Sequence, residues 1–363
     1  ALCARVTLGV LIDMDGNQLR IGESQLSLPP DSYFRPLHPE ARDQGDPYIL
    51  TAPPSANSAH RFYVYTSGQD DASGKAFPIY GSDDLLHWQS LGGALVADLA
   101  RAHWAPCIQY IPSLDYPYVM LYSRGQGHDE RAHVGHALRR AHSRSPAGPF
   151  VDSGHILTAG LDFAIDPDIY RLPDGQLKIA FAADFVEDQP LGTGLVEASI
   201  NEHLTQLVGP TRTLARAKYD WQVYDASRRM PWKQIPGVDW EKDRVRWNTL
   251  EGPVGGLLSP QGRSVYLYSG GCFFLFYGVG ALVEREGGEL EDVSSEGNLV
   301  IAPEPESGLY SPGHCSLVRG VDGPPLLMLH ARFGAHTAPR QMCLVRLNWL
   351  PDGRPAAVPP GGA

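Results

Sequence analysis

Apolar and polar positions along this chain follow one pattern used five times. Each copy opens with a proline- or glycine-marked entry into an apolar run: GDPYIL at 45, WAPCIQ at 104, IDPDIY at 165, EGPVGG at 251 and SPGHCS at 311. A turn and a second run follow each entry: RFYVYTS, PYVMLYS, QLKIAFA, RSVYLYS and PLLMLHA. Apolar residues in these second runs alternate or continue unbroken, as at Phe62 and Val64 or Val119 and Leu121. That predicts strands buried between neighbouring sheets. The PDG at 173–175 predicts a hairpin reversal. Helical periodicity is scarce, and NEHLTQL at 201 is its best short candidate.

The entry prolines give the period. Pro47 to Pro106 is 59 residues, Pro106 to Pro167 is 61, Pro167 to Pro253 is 86 and Pro253 to Gly313 is 60. A repeat of this kind, built from strand, turn and strand, predicts propeller blades rather than a helical solenoid. The expected fold is all-β, a single-domain five-bladed β-propeller. Its entry prolines and glycines start the inner strands at a crowded centre, and ring closure leaves only short sheet edges. The blades are expected over 41–355, after an N-terminal segment (1–40) that leads into or closes the ring and before a Pro/Gly-rich tail (356–363).

Composition narrows the function classes. At 363 residues, 43% hydrophobic, the chain is long enough to bury a large core. A formal net charge of −11 opposes nucleic acid, whose phosphates need a basic surface. No apolar run reaches the roughly 18 residues of a membrane span. The five cysteines, Cys3, Cys107, Cys272, Cys315 and Cys343, include no C-x-x-C pair, which argues against a disulfide framework or a structural zinc site. His128, His133, His136 and His142 lack the H-E-x-x-H spacing of a metal helix and read as strand-packed or solvated side chains.

Candidate chemistry sits where the copies differ. Asp46, Asp166 and Glu251 lie at or beside the entry proline in blades one, three and four. An Asp before proline also serves as an ordinary strand-entry residue, but recurrence at matched positions favours a shared site. The long third interval holds an insertion, about 217–247, with Trp221, Trp232, Trp240 and Trp247 among the chain's seven tryptophans. Aromatic rings stack on sugar faces, so this segment either packs onto the blades or walls a carbohydrate pocket.

In order along the chain, GDPYIL, FPIYGSDDLLHWQSLGGAL, HWAPCIQY, SRSPAGPF, IDPDIY, TLEGP, SPGHCS and HARF resemble the family 43 glycoside hydrolases, five-bladed propellers that include arabinofuranosidases, xylosidases and arabinanases. The resemblance spans Asp43 to Pro355 and implies an inverting exo-hydrolase that releases a terminal pentose or furanose sugar, most like an α-L-arabinofuranosidase. It implies Asp46 as general base, Glu251 as general acid and Asp166 as the acid that orients the site and tunes Glu251. It also implies Trp104, with His103 beside it, and Arg332 as substrate contacts, to which the insertion adds Trp221 and Trp247. No cofactor is required by the resemblance. It allows a hydrated cation, often calcium, on the propeller axis near His314, although calcium prefers oxygen ligands. The implied partner is an arabinose-, xylose- or galactofuranose-containing glycan. β-Xylosidase, β-D-galactofuranosidase and D-arabinofuranosidase activities stay open, as does a propeller that binds glycans without cleaving them.

Overall fold

Successive side chains on a strand leave on opposite faces, and the second strand of each repeat uses both. On Phe62–Tyr65, Phe62 and Val64 pack with Val318, Leu326 and Met328, whereas Tyr63 and Tyr65 pack with Ile108, Met120 and Tyr122. The computed structural model describes residues 11–12, 18–19, 35–54, 58–70, 72–127, 134–321 and 323–357. Cys3, His128 and His133 lie outside the described residues.

Five four-stranded antiparallel blades follow in chain order. Blade one is Tyr48–Thr51, Phe62–Tyr65, Lys75–Ser82 and Gln89–Val96; blade two is His103–Tyr110, Tyr118–Arg124, Ala137–Ser143 and Phe150–Ile156. Blade three is Ala164–Arg171, Leu177–Phe185, Gly192–Ile200 and Leu207–Ala215; blade four is Leu250–Leu258, Ser264–Gly271, Tyr277–Glu284 and Leu290–Asp292. Blade five is Leu309–Leu317, Leu326–Phe333, Gln341–Trp349 and Pro355–Ala357.

Five apolar clusters each join one neighbouring pair of blades, and the pair of blades five and one is among them. The ring is therefore closed by the same burial that holds it elsewhere. Truncating a fully buried member such as Leu267 or Leu329 to alanine costs about 2–5 kcal/mol at sites of this kind. Hydrogen bonds reinforce the closure: Ile49 N donates to Ser316 Oγ at 3.1 Å, and Ser316 Oγ donates to Pro47 O at 2.8 Å.

Two sequence expectations change. NEHLTQL is no helix: Asn201 Oδ1 accepts the Thr205 amide at 2.8 Å, closing the turn before the strand Leu207–Ala215. Side-chain capping of a tight turn outcompetes a weak helical pattern. At the C-terminus, Ala356 and Ala357 pair with Asn348 and Leu347 as blade five's outer strand. The insertion forms two antiparallel strands, Val223–Arg228 and Val245–Asn248, tied to blade three through the parallel pair Gly192 and Asn248. Among the described residues no helix is long and apolar enough to cross a membrane, and Cys107, Cys272, Cys315 and Cys343 are buried free thiols.

Every blade enters its inner strand through a residue of positive φ followed by proline: Asp46 (54°), Ala105 (45°), Asp166 (59°), Gly252 (53°) and Ser311 (48°). Proline disfavours helical backbone in the residue before it, and a positive φ is uncommon for a non-glycine residue. Surrounding hydrogen bonds hold the conformation. Ala105 N donates to Ser67 Oγ at 2.8 Å, Asp166 N to Ser123 Oγ at 3.1 Å, and Asp46 N to His330 Nδ1 at 3.1 Å. Each donor thus reaches a residue on, or just past, the second strand of the preceding blade. In blades two to five the pairing register shifts at this step, as a bulge would make it. The matching step in blade five is Ser311–Pro312, whose proline is one residue before the Gly313 used for the repeat spacing.

Candidate active site

Asp46, Asp166 and Glu251 line one cavity of about 430 Å³. His314 joins two of them: its Nδ1 lies 3.3 Å from Asp46 Oδ1 and 4.0 Å from Asp166 Oδ2. Blades one, three, four and five thus each supply a side chain, and the strained entries are what bring them together.

The acids differ in their partners. Arg340 grips Asp46 and Asp43 together, with Nη1 2.9 Å from Asp46 Oδ1 and Nε 2.7 Å from Asp43 Oδ2. Burial alone would raise the Asp46 carboxyl, but Arg340, and to a lesser degree the two histidines, hold it well below the usual carboxylate range. Burial keeps His314 and His330 below the ordinary histidine value, so at neutral pH Arg340 supplies the cation.

Glu251 accepts the Tyr277 hydroxyl at 2.7 Å, yet burial, with the charge of Asp46 adding to it, pushes its carboxyl up to about 7. Asp166 accepts the Gly252 amide at 3.0 Å on Oδ2. Burial and then the neighbouring Glu251 and Asp46 raise it as well. Buried like charges cannot all ionise, so the site keeps an ionised carboxylate and a proton side by side at neutral pH.

Gly45 is what lets Arg340 reach both aspartates. A Cβ at position 45 would stand 2.0 Å from Arg340 Cζ. Gly45→Ala is therefore expected to displace the guanidinium and raise the Asp46 carboxyl. The acidic limb of the kcat/KM–pH profile would then move upward, with the fold kept; an unchanged limb would show that Arg340 does not hold Asp46 down.

The structure sorts the remaining candidates. Trp104 and Trp247 line the cavity, and Trp104 stacks on His136 with centroids 4.0 Å apart. His103 does not line it: adjacent strand residues face opposite sides, and His103 is buried against Tyr122, with Nδ1 2.8 Å from Arg101 O. Trp221 is also outside, stacked on Tyr268, with its indole N–H donating to Ser294 O at 2.6 Å. Arg332 is outside too; it donates to Ala338 O and lies over the Phe274 ring at 6.0 Å.

Arg340, Tyr277 and Arg228 also stand in the cavity wall, where no motif in the sequence pointed to them, and Trp232 of the Trp-rich insertion joins them.

Among the described residues no group of three or more His, Cys, Asp or Glu could hold a metal ion. A small axial pocket of about 20 Å³, lined by Pro47, Pro106, Pro167 and Pro253, lies under His314, and His314 also borders the larger cavity.

Comparisons with known proteins bear on the fold and the family. The model of the glycosyl hydrolases family 43 matches residues 48–234, about half of the chain. No curated protein sequence matches it significantly. Among solved structures, a thermostable family-43 glycoside hydrolase superposes with a TM-score of 0.64 at 23% identity, covering 88% of this chain and 94% of that one. The α-L-arabinofuranosidase from Lactobacillus brevis gives 0.64 at 16% identity over 92% and 99%. The xylan β-1,4-xylosidase from Bacillus halodurans C-125 gives 0.62 at 18% over 89% and 56%. At these identities the superpositions speak for the fold, and the family match speaks for the chemistry. This chain belongs to family 43 of the glycoside hydrolases, a family of inverting enzymes acting on carbohydrate.

Proposed function

We propose that this hydrolase releases a terminal pentose or furanose sugar, α-L-arabinofuranose best of all, with Asp46 as general base and Glu251 as general acid. The observation that carries this reading is the contrast between two acids lining one cavity: Asp46 is held ionised by Arg340, while Glu251 is raised to about 7. An inverting hydrolase needs that division of labour. The base takes a proton from water as it attacks the anomeric carbon, and the acid gives its proton to the departing glycosidic oxygen on the other side of the sugar. Asp166 shares the buried charge of the group and, through His314, the orientation of Asp46. His314 acts as a neutral hydrogen-bonding ring between the two aspartates.

Exo action is supported by the wall the insertion builds. Tyr224, Trp232 and Trp247 from the insertion line the cavity together with Trp104 and Phe163, an aromatic enclosure that suits a chain end more than a chain middle. Trp104, half-buried on the cavity wall, is the ring best placed to stack on sugar, since Trp247 is buried beneath Arg228 and Lys233.

Rates on p-nitrophenyl α-L-arabinofuranoside, β-D-xyloside, β-D-galactofuranoside and α-D-arabinofuranoside test the reading. The α-L-arabinofuranoside is expected to be cleaved fastest, with free arabinose as the first product from an arabinan. A faster xyloside or galactofuranoside would reassign the sugar. Binding of these sugars with no hydrolysis of any would return the chain to a glycan-binding propeller.

A further inference from the structure

One cation in the cavity wall is unaccounted for by this chemistry. Arg228 ends the first insertion strand and lines the cavity. Its guanidinium carbon lies 4.6 Å from the centre of the Tyr224 ring and 5.6 Å from that of Trp247. Tyr224 and Arg228 are four apart on a strand, and Trp247 comes from the paired strand, so the insertion's own hairpin builds the seat.

Stacking covers the faces of a guanidinium and leaves its in-plane N–H donors unused. Among the described residues no side chain or backbone oxygen takes them as a hydrogen bond or ion pair. Nearby acids are committed elsewhere: Asp184 pairs with Lys233, Asp225 accepts the Ser227 amide at 2.8 Å, and Glu251 accepts from Tyr277. The other cavity cations are paired, Arg42 with Glu40 and Asp70, Arg340 with Asp43 and Asp46. Burial already lowers the proton affinity of Arg228, a sign that its charge is poorly compensated.

We infer that Arg228 is a receptor for a sugar carboxylate, so that this enzyme favours glycans carrying a uronic acid next to the sugar it releases. A planar carboxylate matches the guanidinium fork with two parallel hydrogen bonds and cancels its charge. The hydroxyl pair of a neutral sugar would fill the same fork but leave the charge uncompensated in a half-buried wall. The inference rests on the proposed reading of the cavity as the sugar site, but not on which sugar is cleaved. In a chain of net charge −11, an unpaired arginine facing the reacting acids is a local exception that an anionic substituent explains.

The test measures binding, so that it does not depend on turnover. Quenching of tryptophan fluorescence, to which Trp247 beside Arg228 contributes, is titrated with D-galacturonate against D-galactose and with D-glucuronate against D-glucose. In the wild type the uronates are expected to bind about tenfold to a hundredfold more tightly than their neutral partners, with the preference falling as salt rises. In Arg228→Gln the preference is expected to vanish, and in Arg228→Lys, which keeps the charge without the fork, to survive only in part. Equal binding of uronate and neutral sugar by the wild type would overturn the inference, as would an undiminished preference in Arg228→Gln. Inorganic sulfate displacing the uronates at equal concentration would overturn it too, since any anion would then serve. A uronate preference together with no hydrolysis of any glycoside would sustain the inference while refuting the proposed hydrolase.

Discussion

Glu251→Gln is expected to lower kcat on an alkyl arabinofuranoside by about 10²–10⁴, the usual contribution of a positioned general acid. On p-nitrophenyl arabinofuranoside, whose leaving oxygen needs little protonation, the loss is expected to be much smaller. The two substrates together separate an acid from a residue that merely shapes the cavity, because loss of shape would slow both alike. The pH profile gives a second reading. Glu251 is raised to about 7 by burial, and only its protonated form donates. kcat/KM in the wild type should therefore fall as pH rises through about 7, and Glu251→Gln should lose that basic limb. Tyr277 donates to Glu251 at 2.7 Å and favours its charged form, so Tyr277→Phe should move the limb upward.

Arg340→Gln is expected to be nearly as damaging. It leaves Asp46, 14% exposed at its side chain, without its cation and beside two other buried acids. Stripping one partner from a buried pair costs about 3–5 kcal/mol, part of it relieved here by Asp46 taking up a proton. A protonated Asp46 cannot accept a proton from water. kcat should fall by about 10² or more at pH 5 and recover partly at higher pH, so the acidic limb moves up. An acidic limb left in place, with a uniform drop at all pH values, would mean that Arg340 binds substrate rather than sustaining the base.

Stability follows the same groups. Asp166 and Glu251 bind protons more tightly folded than unfolded. Their stabilising contribution is full below the unfolded carboxyl value of about 4 and is lost as pH rises through about 7 for Glu251. Asp46, held low, contributes above about 4 and loses its contribution only as pH falls through its depressed folded value. The wild type should therefore lose more calorimetric Tm between pH 5 and pH 8 than Glu251→Gln does, with His314 and His330, kept neutral by burial, opposing the decline in both.

The repeat was legible because the physics that builds a blade is local. Alternation along RFYVYTS feeds two neighbouring clusters, and the D-P entries mark inner strands. Fold, blade order and the three acids followed from that. What was not legible depended on which way a side chain leaves a bulged strand. His103 and Trp104 are neighbours, so only one of them could line the cavity, and the sequence does not say which. Trp221 and Trp247 look alike in a Trp-rich insertion, yet one caps blade four's core and the other walls the cavity.

Arg332 carries the HARF motif, whereas no motif marks Arg340. Arg340's role is written instead in Gly45, whose missing side chain makes the space, and such complementarity between residues 295 apart is invisible without coordinates. Blade five misled for a related reason. It has two positive-φ residues, Ser311 and His314, and two register shifts, so its entry proline and its functional side chain are not adjacent as they are in blades one and three.

The central claim is that an ionised Asp46 and a protonated Glu251 act from separate blades on opposite sides of one sugar, which allows only a single displacement. Proton NMR during the first minutes of hydrolysis of p-nitrophenyl α-L-arabinofuranoside tests it most directly. β-L-Arabinose is expected to appear first and to mutarotate afterwards; α-L-arabinose as the first-formed anomer would mean two displacements and rule out this pairing of base and acid.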